Sequence, residues 1–330
     1  MLTDMFDVSR NDTLNVLTDN YDPSLQAASC YLAVFTMTPL LPLVMLLCSL
    51  ARAEFSTVLI GGIDPYNMLS TVEVVTDVNK SCTNTVPAFP FARDGLAGAS
   101  FSALAFPNDI LACGGHNRGP WGASRACYHY WGAQDRWIDA PPMNYARSVA
   151  NIHTFDAFNL VLGGGNSAVE ILTGDGVAEW FEVESARLPD DSLSSACSVQ
   201  VASPTSVSTS YIHLLGGRAE TSLGTNMHYR LKVVSDSEMS WEVMPEMPAA
   251  QQNHGCVVAS NAQSSGIFVT GGRNDPSGSY SNQAFFFDLN SEIWTELQEL
   301  PESRVWHSMG LIGQGVGGTS LHPVSPTGYR

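Results

Sequence analysis

Seven of the eight histidines, His116, His129, His153, His213, His228, His254 and His307, are the side chains here best suited to hold a transition metal or move protons near neutral pH. A copper centre would need several of them to converge with tyrosine. They are scattered, with no paired spacing, and no Cys/His spacing matches a zinc site. No Ser-His-Asp set and no pair of carboxylates for acid–base work is legible. The sequence therefore assigns no catalytic residue, no metal and no cofactor, and the chain reads as a non-enzyme.

A second group can bind rather than react. Arginine and tryptophan anchor interfaces, and arginine pairs well with carboxylates. The loop 116–125 holds His116, Arg118, Trp121 and Arg125, and Arg218, Arg273, Tyr280, Tyr145 and Trp306 stand at comparable places further along. Arg93, Arg147 and Arg304 each follow a proline-bearing loop and are read as braces that bond backbone carbonyls. For 116–125, ligand binding and plain surface both stay open. Asn79-Lys80-Ser81 is a glycosylation sequon in a turn.

These residues sit in an acidic background. The net charge is -17, and Lys80 and Lys232 are the only lysines. Nothing could neutralise a run of phosphates, so nucleic acid is excluded as a partner, as is an anionic membrane surface.

The elements that must position the group come in a repeat. Glycine pairs fall at Gly61-Gly62, Gly114-Gly115, Gly163-Gly164, Gly216-Gly217 and Gly271-Gly272, 49 to 55 residues apart. Each ends an apolar run ("VLIGG", "ILACGG", "NLVLGG", "IHLLGG", "IFVTGG"). A polar loop and a second strand follow. A third strand carries Trp137, Trp180, Trp241 or Trp294, and then come a proline-bearing loop and an apolar strand leading to the next pair. That is four short strands per repeat and no helical period. The strand packs on neighbours and must be apolar, and the chain leaves it where backbone meets backbone.

The period, the glycine pairs, the aromatic seven residues before tryptophan (Tyr130 to Trp137, Phe287 to Trp294) and the arginine-bearing loops resemble the kelch-repeat β-propeller family over residues 55–313. The resemblance implies an all-β propeller of four-stranded blades, with five repeats visible. Departures are Asp190-Asp191 in place of arginine, Cys82 in place of tryptophan, and a longer turn before Trp241. The repeat that begins at Phe55 lacks its leading strand, and 305–313 offers a spare one. The ring is then five-bladed with strand-exchange closure, or an incomplete six-bladed one. Strand geometry puts the loop after each glycine pair and the loop before each first strand on one face, which gathers the arginines and aromatics.

Residues 1–36 read as an acidic leader and 314–330 as a disordered tail. Residues 37–53 read as a signal peptide with an Ala51-Arg52-Ala53 cleavage site. The alternative is a membrane helix over 31–51, giving a single-pass membrane protein; with the signal cleaved, no stable span remains. In an oxidising compartment Cys113 and Cys127 pair across strands; the other reading makes both small buried hydrophobes. The pattern "CGG…C" after Cys82 is similar to secreted animal kelch proteins. Cys197 and Cys256 are read as buried thiols. The function expected is a secreted or lumenal binding or scaffold module that takes protein or glycan at the loop face. The alternatives are a galactose-oxidase-like or other sugar-modifying propeller, and an intracellular kelch adaptor.

Overall fold

A computed structural model describes residues 31–32, 46–47, 56–60, 70, 72–76, 82–83, 87–91, 94–100, 109–116, 122–173, 179–189, 193–206, 208–218, 223–260, 265–274, 279–307 and 309. The chain divides into a unit of Met1–Thr57 with Thr76–Ser81 and a unit of Val58–Val75 with Cys82–Arg330. The first contains β1 (Tyr31–Leu32), paired antiparallel with β2 (Leu46–Leu47). These four residues are extended where a membrane helix over 31–51 would require helix. No helix among the described residues is long and apolar enough to cross a membrane.

The remaining strands form five sheets, four of them of four antiparallel strands. The first is β3 (Ser56–Ile60), β4 (Val72–Thr76) and β5 (Cys82–Thr83). The second is β6 (Asp94–Ser100), β7 (Ile110–His116), β8 (Cys127–Trp131) and β9 (Arg136–Ala140). The third is β10 (Ala150–Thr154), β11 (Phe158–Gly163), β12 (Glu170–Thr173) and β13 (Phe181–Glu182). The fourth is β14 (Cys197–Ala202), β15 (Ser210–Leu215), β16 (His228–Val233) and β17 (Met239–Val243). The fifth is β18 (Gly255–Ser260), β19 (Ser265–Thr270), β20 (Ala284–Asp288) and β21 (Ile293–Glu296). Four sheets thus carry four strands each in sequence order, as propeller blades do. Of the spare strand expected at 305–313, residues 305–307 and 309 belong to no strand and the others lie outside the described residues.

In the four-stranded blades the apolar runs before the glycines are the second strands, β7, β11, β15 and β19, and they are largely buried. In β11, Leu160 and Leu162 pack with Ile212, Leu214 and Leu231 of the fourth blade. Val161 points the other way, to Leu111 and Met143 beside the second. In β15, Leu214 joins the third-blade cluster, while Leu215 packs with Ile267, Val269 and Phe287 of the fifth. Alternating side chains of one strand thus serve two neighbours, which is why the sequence shows a continuous apolar run instead of alternation. Full burial of each such side chain contributes about 1.5–3 kcal/mol.

The tryptophans close the outer edges. Trp137, Trp180, Trp241 and Trp294 each donate the indole N–H to a carbonyl, of Pro87, Pro141, Ala186 and Pro245 respectively, at 2.7–3.0 Å. Each carbonyl lies in the connection entering the tryptophan's own blade. Tyr130 and Phe287 stand directly across from Trp137 and Trp294 in the ladders, which accounts for the seven-residue spacing.

The glycines have a measurable reason. At Gly114, φ is +77° and a Cβ would lie 2.6 Å from the Arg147 carbonyl oxygen. The equivalent contacts at Gly216 and Gly271 are with the carbonyls of Gln251 and Arg304. Gly61 and Gly62 lie outside the described residues.

Candidate functional site

The loop after a glycine pair and the loop entering the next blade are stitched together by backbone. Gly115 N–H donates to Arg147 O at 3.0 Å, and Arg147 N–H to Ser124 O at 2.8 Å. The same register joins the fourth blade to the fifth, Gly217 to Gln251 at 2.8 Å, and the fifth blade to the segment that follows it, Gly272 to Arg304 at 2.7 Å. Arg218 bridges Ser194 and Gly224, and Gln252 bridges Arg273. The two loop families thus share one face. Two residues after each accepting carbonyl comes a residue in the left-handed region: Val149, Ser195, Asn253 and Trp306, with φ between 51° and 58°. Asn253 N–H donates to Ser195 O and Trp306 N–H to Asn253 O, both at 2.9 Å.

Between the second and third blades the polar groups are matched. Arg147, fully buried, donates to Gly163 O (2.6 Å), Ala168 O (2.7 Å) and Glu170 Oε2 (2.8 and 3.1 Å). Asn144 N–H donates to Glu170 Oε1 at 2.7 Å. Burial lowers the Arg147 pKa, and the Glu170 carboxylate opposes that shift. Arg147 is therefore a brace. Tyr145 donates its hydroxyl to Glu182 Oε2 at 2.8 Å, which raises its pKa. His116 and Ser148 are 3.0 Å apart through Nε2 and Oγ. Arg125 is exposed; its carbonyl accepts from Met143 N–H.

Between the fourth and fifth blades the matching is incomplete. Gln251 occupies the place of Arg147 and donates Nε2 to Ser281 Oγ at 3.2 Å and Gln283 Oε1 at 3.0 Å. Gln251 Oε1, Asn253 Oδ1 and Thr225 Oγ1 are buried with no hydrogen-bond partner among the described residues. In the same loops Leu223, Tyr280 and Trp306 are exposed, Trp306 by 64%. The Arg273 guanidinium lies 5.3 Å from the Trp306 ring centroid. Burial, then the nearby His307, depresses His254 to about 4, so it is neutral at physiological pH. His307 is also lowered, by burial and then Arg304, and its Nε2 sits 2.9 Å from Thr270 Oγ1.

Of the residues expected at the mouth, Arg273, Tyr280 and Trp306 come to the fourth–fifth seam, and Arg218 is exposed at the seam before it. His116, Arg125 and Tyr145 stand at the second–third seam. Arg93, Arg118, Trp121 and Asn79 lie outside the described residues. Gln251-Gln252-Asn253 was not foreseen, because neutral amides carry no charge or spacing signal.

Two expectations are corrected. Cys197 and Cys256 are not thiols: they form a disulfide joining β14 to β18, with Cα atoms 6.0 Å apart. No spacing signal points to this bond, since its 59-residue separation runs from one blade to the next. Cys113–Cys127 is bonded across β7 and β8, as expected for an oxidising compartment. The histidines are not all scattered either: His213 Nδ1 and His228 Nε2 are 2.8 Å apart on paired strands. Burial depresses them to about 3 and about 4, so the pair is neutral. With His228 Nδ1–H donating to Pro245 O, 3.3 Å away, His213 Nδ1–H is the donor between the rings. Among the described residues, no three His, Cys, Asp or Glu side chains group as a metal set.

No family model matches the chain, and no curated protein matches it in sequence. Among solved structures 159 chains match. One, titled "Structure of YjhT", is 13% identical with a TM-score of 0.59, over 78% of this chain and 87% of that one. That protein is a propeller, and at this identity the likeness shows the fold alone. The chain is an all-β propeller of four-stranded antiparallel blades.

Proposed function

We propose that the chain is a secreted or lumenal binding module that takes its ligand, protein or glycan, on the loop face at the fourth–fifth seam. One observation carries this reading: on the loop face Leu223, Tyr280 and Trp306 are exposed, Arg273 lies against the indole, and Trp306 bonds through its backbone to Asn253, whose buried Oδ1 has no partner among the described residues. An aromatic and arginine cluster beside desolvated polar groups is the composition of an interface centre. The two disulfides fit an oxidising compartment, which favours export over an intracellular adaptor. A propeller accommodates scaffolds and enzymes alike, so the assignment rests on the site and not on the fold.

The test is expression of the full chain in animal cells. Mass spectrometry of the medium under non-reducing conditions should find a product starting near Glu54 with both disulfides formed. Asn79 should carry glycan. Arg273→Ala should weaken whatever partner the purified protein retains on protein and glycan arrays. Retention in cells with free thiols would overturn export.

A further inference from the structure

We infer that the fourth–fifth seam takes a saccharide, an inference that rests on the binding-module reading above. Three features of the seam point to that class. Trp306 offers an exposed aromatic plane, steadied by Arg273 5.3 Å from its centroid. Such a plane suits a pyranose, whose axial C–H groups form an apolar face. Next to it in the fold, Asn253 is 7% exposed, and Asn253 Oδ1, Gln251 Oε1 and Thr225 Oγ1 are buried with no hydrogen-bond partner among the described residues. Carbonyl oxygens of amides only accept, so the missing partner is a donor. Sugar hydroxyls supply donors in a ring around an apolar face, and the site needs both.

The third feature is charge. Among the described residues, Thr225, Gln251, Asn253, Arg273, Tyr280 and Trp306 are neutral or cationic and include no carboxylate. The second–third seam makes the contrast: its buried arginine is already bonded to Glu170 and two carbonyls, and both Glu170 oxygens accept hydrogen bonds.

The experiment uses the full chain purified from medium. It is applied to a printed mammalian glycan array and titrated with galactose, mannose and N-acetylglucosamine, reading tryptophan fluorescence. Wild type should bind at least one array glycan. Trp306→Ala should weaken that binding about 10-fold or more, the loss of one desolvated aromatic anchor. Trp306→Phe should largely restore it. Asn253→Gly, which suits the positive φ of that residue and removes the amide, should weaken binding about 10-fold, as for one buried hydrogen bond. Melting curves verify that each variant is folded. Binding unchanged by both Trp306→Ala and Asn253→Gly overturns the site. Wild type that melts cooperatively yet binds no saccharide overturns the class. If that protein instead binds a peptide array through Trp306 and Arg273, the saccharide falls while the binding-module reading stands.

Discussion

The second–third and fourth–fifth seams are built to one plan and finished differently. Both join a glycine N–H to the carbonyl of the residue entering the next blade, and both place a left-handed residue two positions later. At the first seam that entering residue is Arg147, whose guanidinium finds four acceptor contacts in full burial. At the second it is Gln251, whose shorter amide leaves an oxygen unanswered beside Asn253 and Thr225. Buried polar groups are nearly always paired, which is why the unpaired amides single out the fourth–fifth seam as the proposed site. One seam is braced by a buried ion pair; the other is held by neutral amides and leaves acceptors that no described residue pairs.

Removing the first brace should have the largest effect. Arg147→Ala strands Glu170 in a dry interior and should lower stability by about 3–5 kcal/mol. Gln251→Ala should cost only about 1 kcal/mol. Denaturant midpoints under non-reducing conditions compare the two, and equal losses would break the contrast. The Cys197–Cys256 bond offsets some of the weakness of the open seam. Cys197→Ser with Cys256→Ser should cost about 4 kcal/mol for a loop of this length. Native-state hydrogen exchange should then show β18 opening before β11.

Backbone crowding gives a smaller, sharper test. Gly114→Ala forces a Cβ against the Arg147 carbonyl at positive φ and should cost at least about 2 kcal/mol. Gly165 also has positive φ but open space around it, so Gly165→Ala should cost about 1 kcal/mol from the backbone alone. Mild acid has the smallest effect near neutrality. His153, His213, His228 and His254 sit at about 3 to 4 in the fold, through burial first. Their unfolded values are near 6.5, so the unfolded chain binds more protons between those limits. Stability is full above pH 6.5 and falls as pH drops toward 4. The melting temperature should fall by a few degrees by pH 6, and exchange should rise in β15, β16 and β18 before β7.

Much of the fold was legible because a propeller repeats its constraints. "NLVLGG" and "IHLLGG" state two-sided burial and a turn against backbone, and Trp137 and Trp294 keep a fixed distance from their cross-strand aromatics. Less of the site was legible. Arg147 was read as a brace from its place in the repeat, and its bonds show why. Gln251 and Asn253 were missed because an amide looks the same in sequence whether its oxygen is answered or not. Val149 and Trp306 adopt a conformation that side chains of their type rarely take, so composition could not flag the left-handed step. Cys197–Cys256 was hidden because pairing between adjacent inner strands depends on ring geometry.

The indole bonds have a consequence for biosynthesis. Trp137, Trp180, Trp241 and Trp294 each reach a carbonyl 39 to 55 residues nearer the N-terminus. Every one of these fastenings therefore looks upstream. A chain emerging from the ribosome already carries the acceptor when the donor appears, so each blade can be latched as it is made and none waits for sequence still to come.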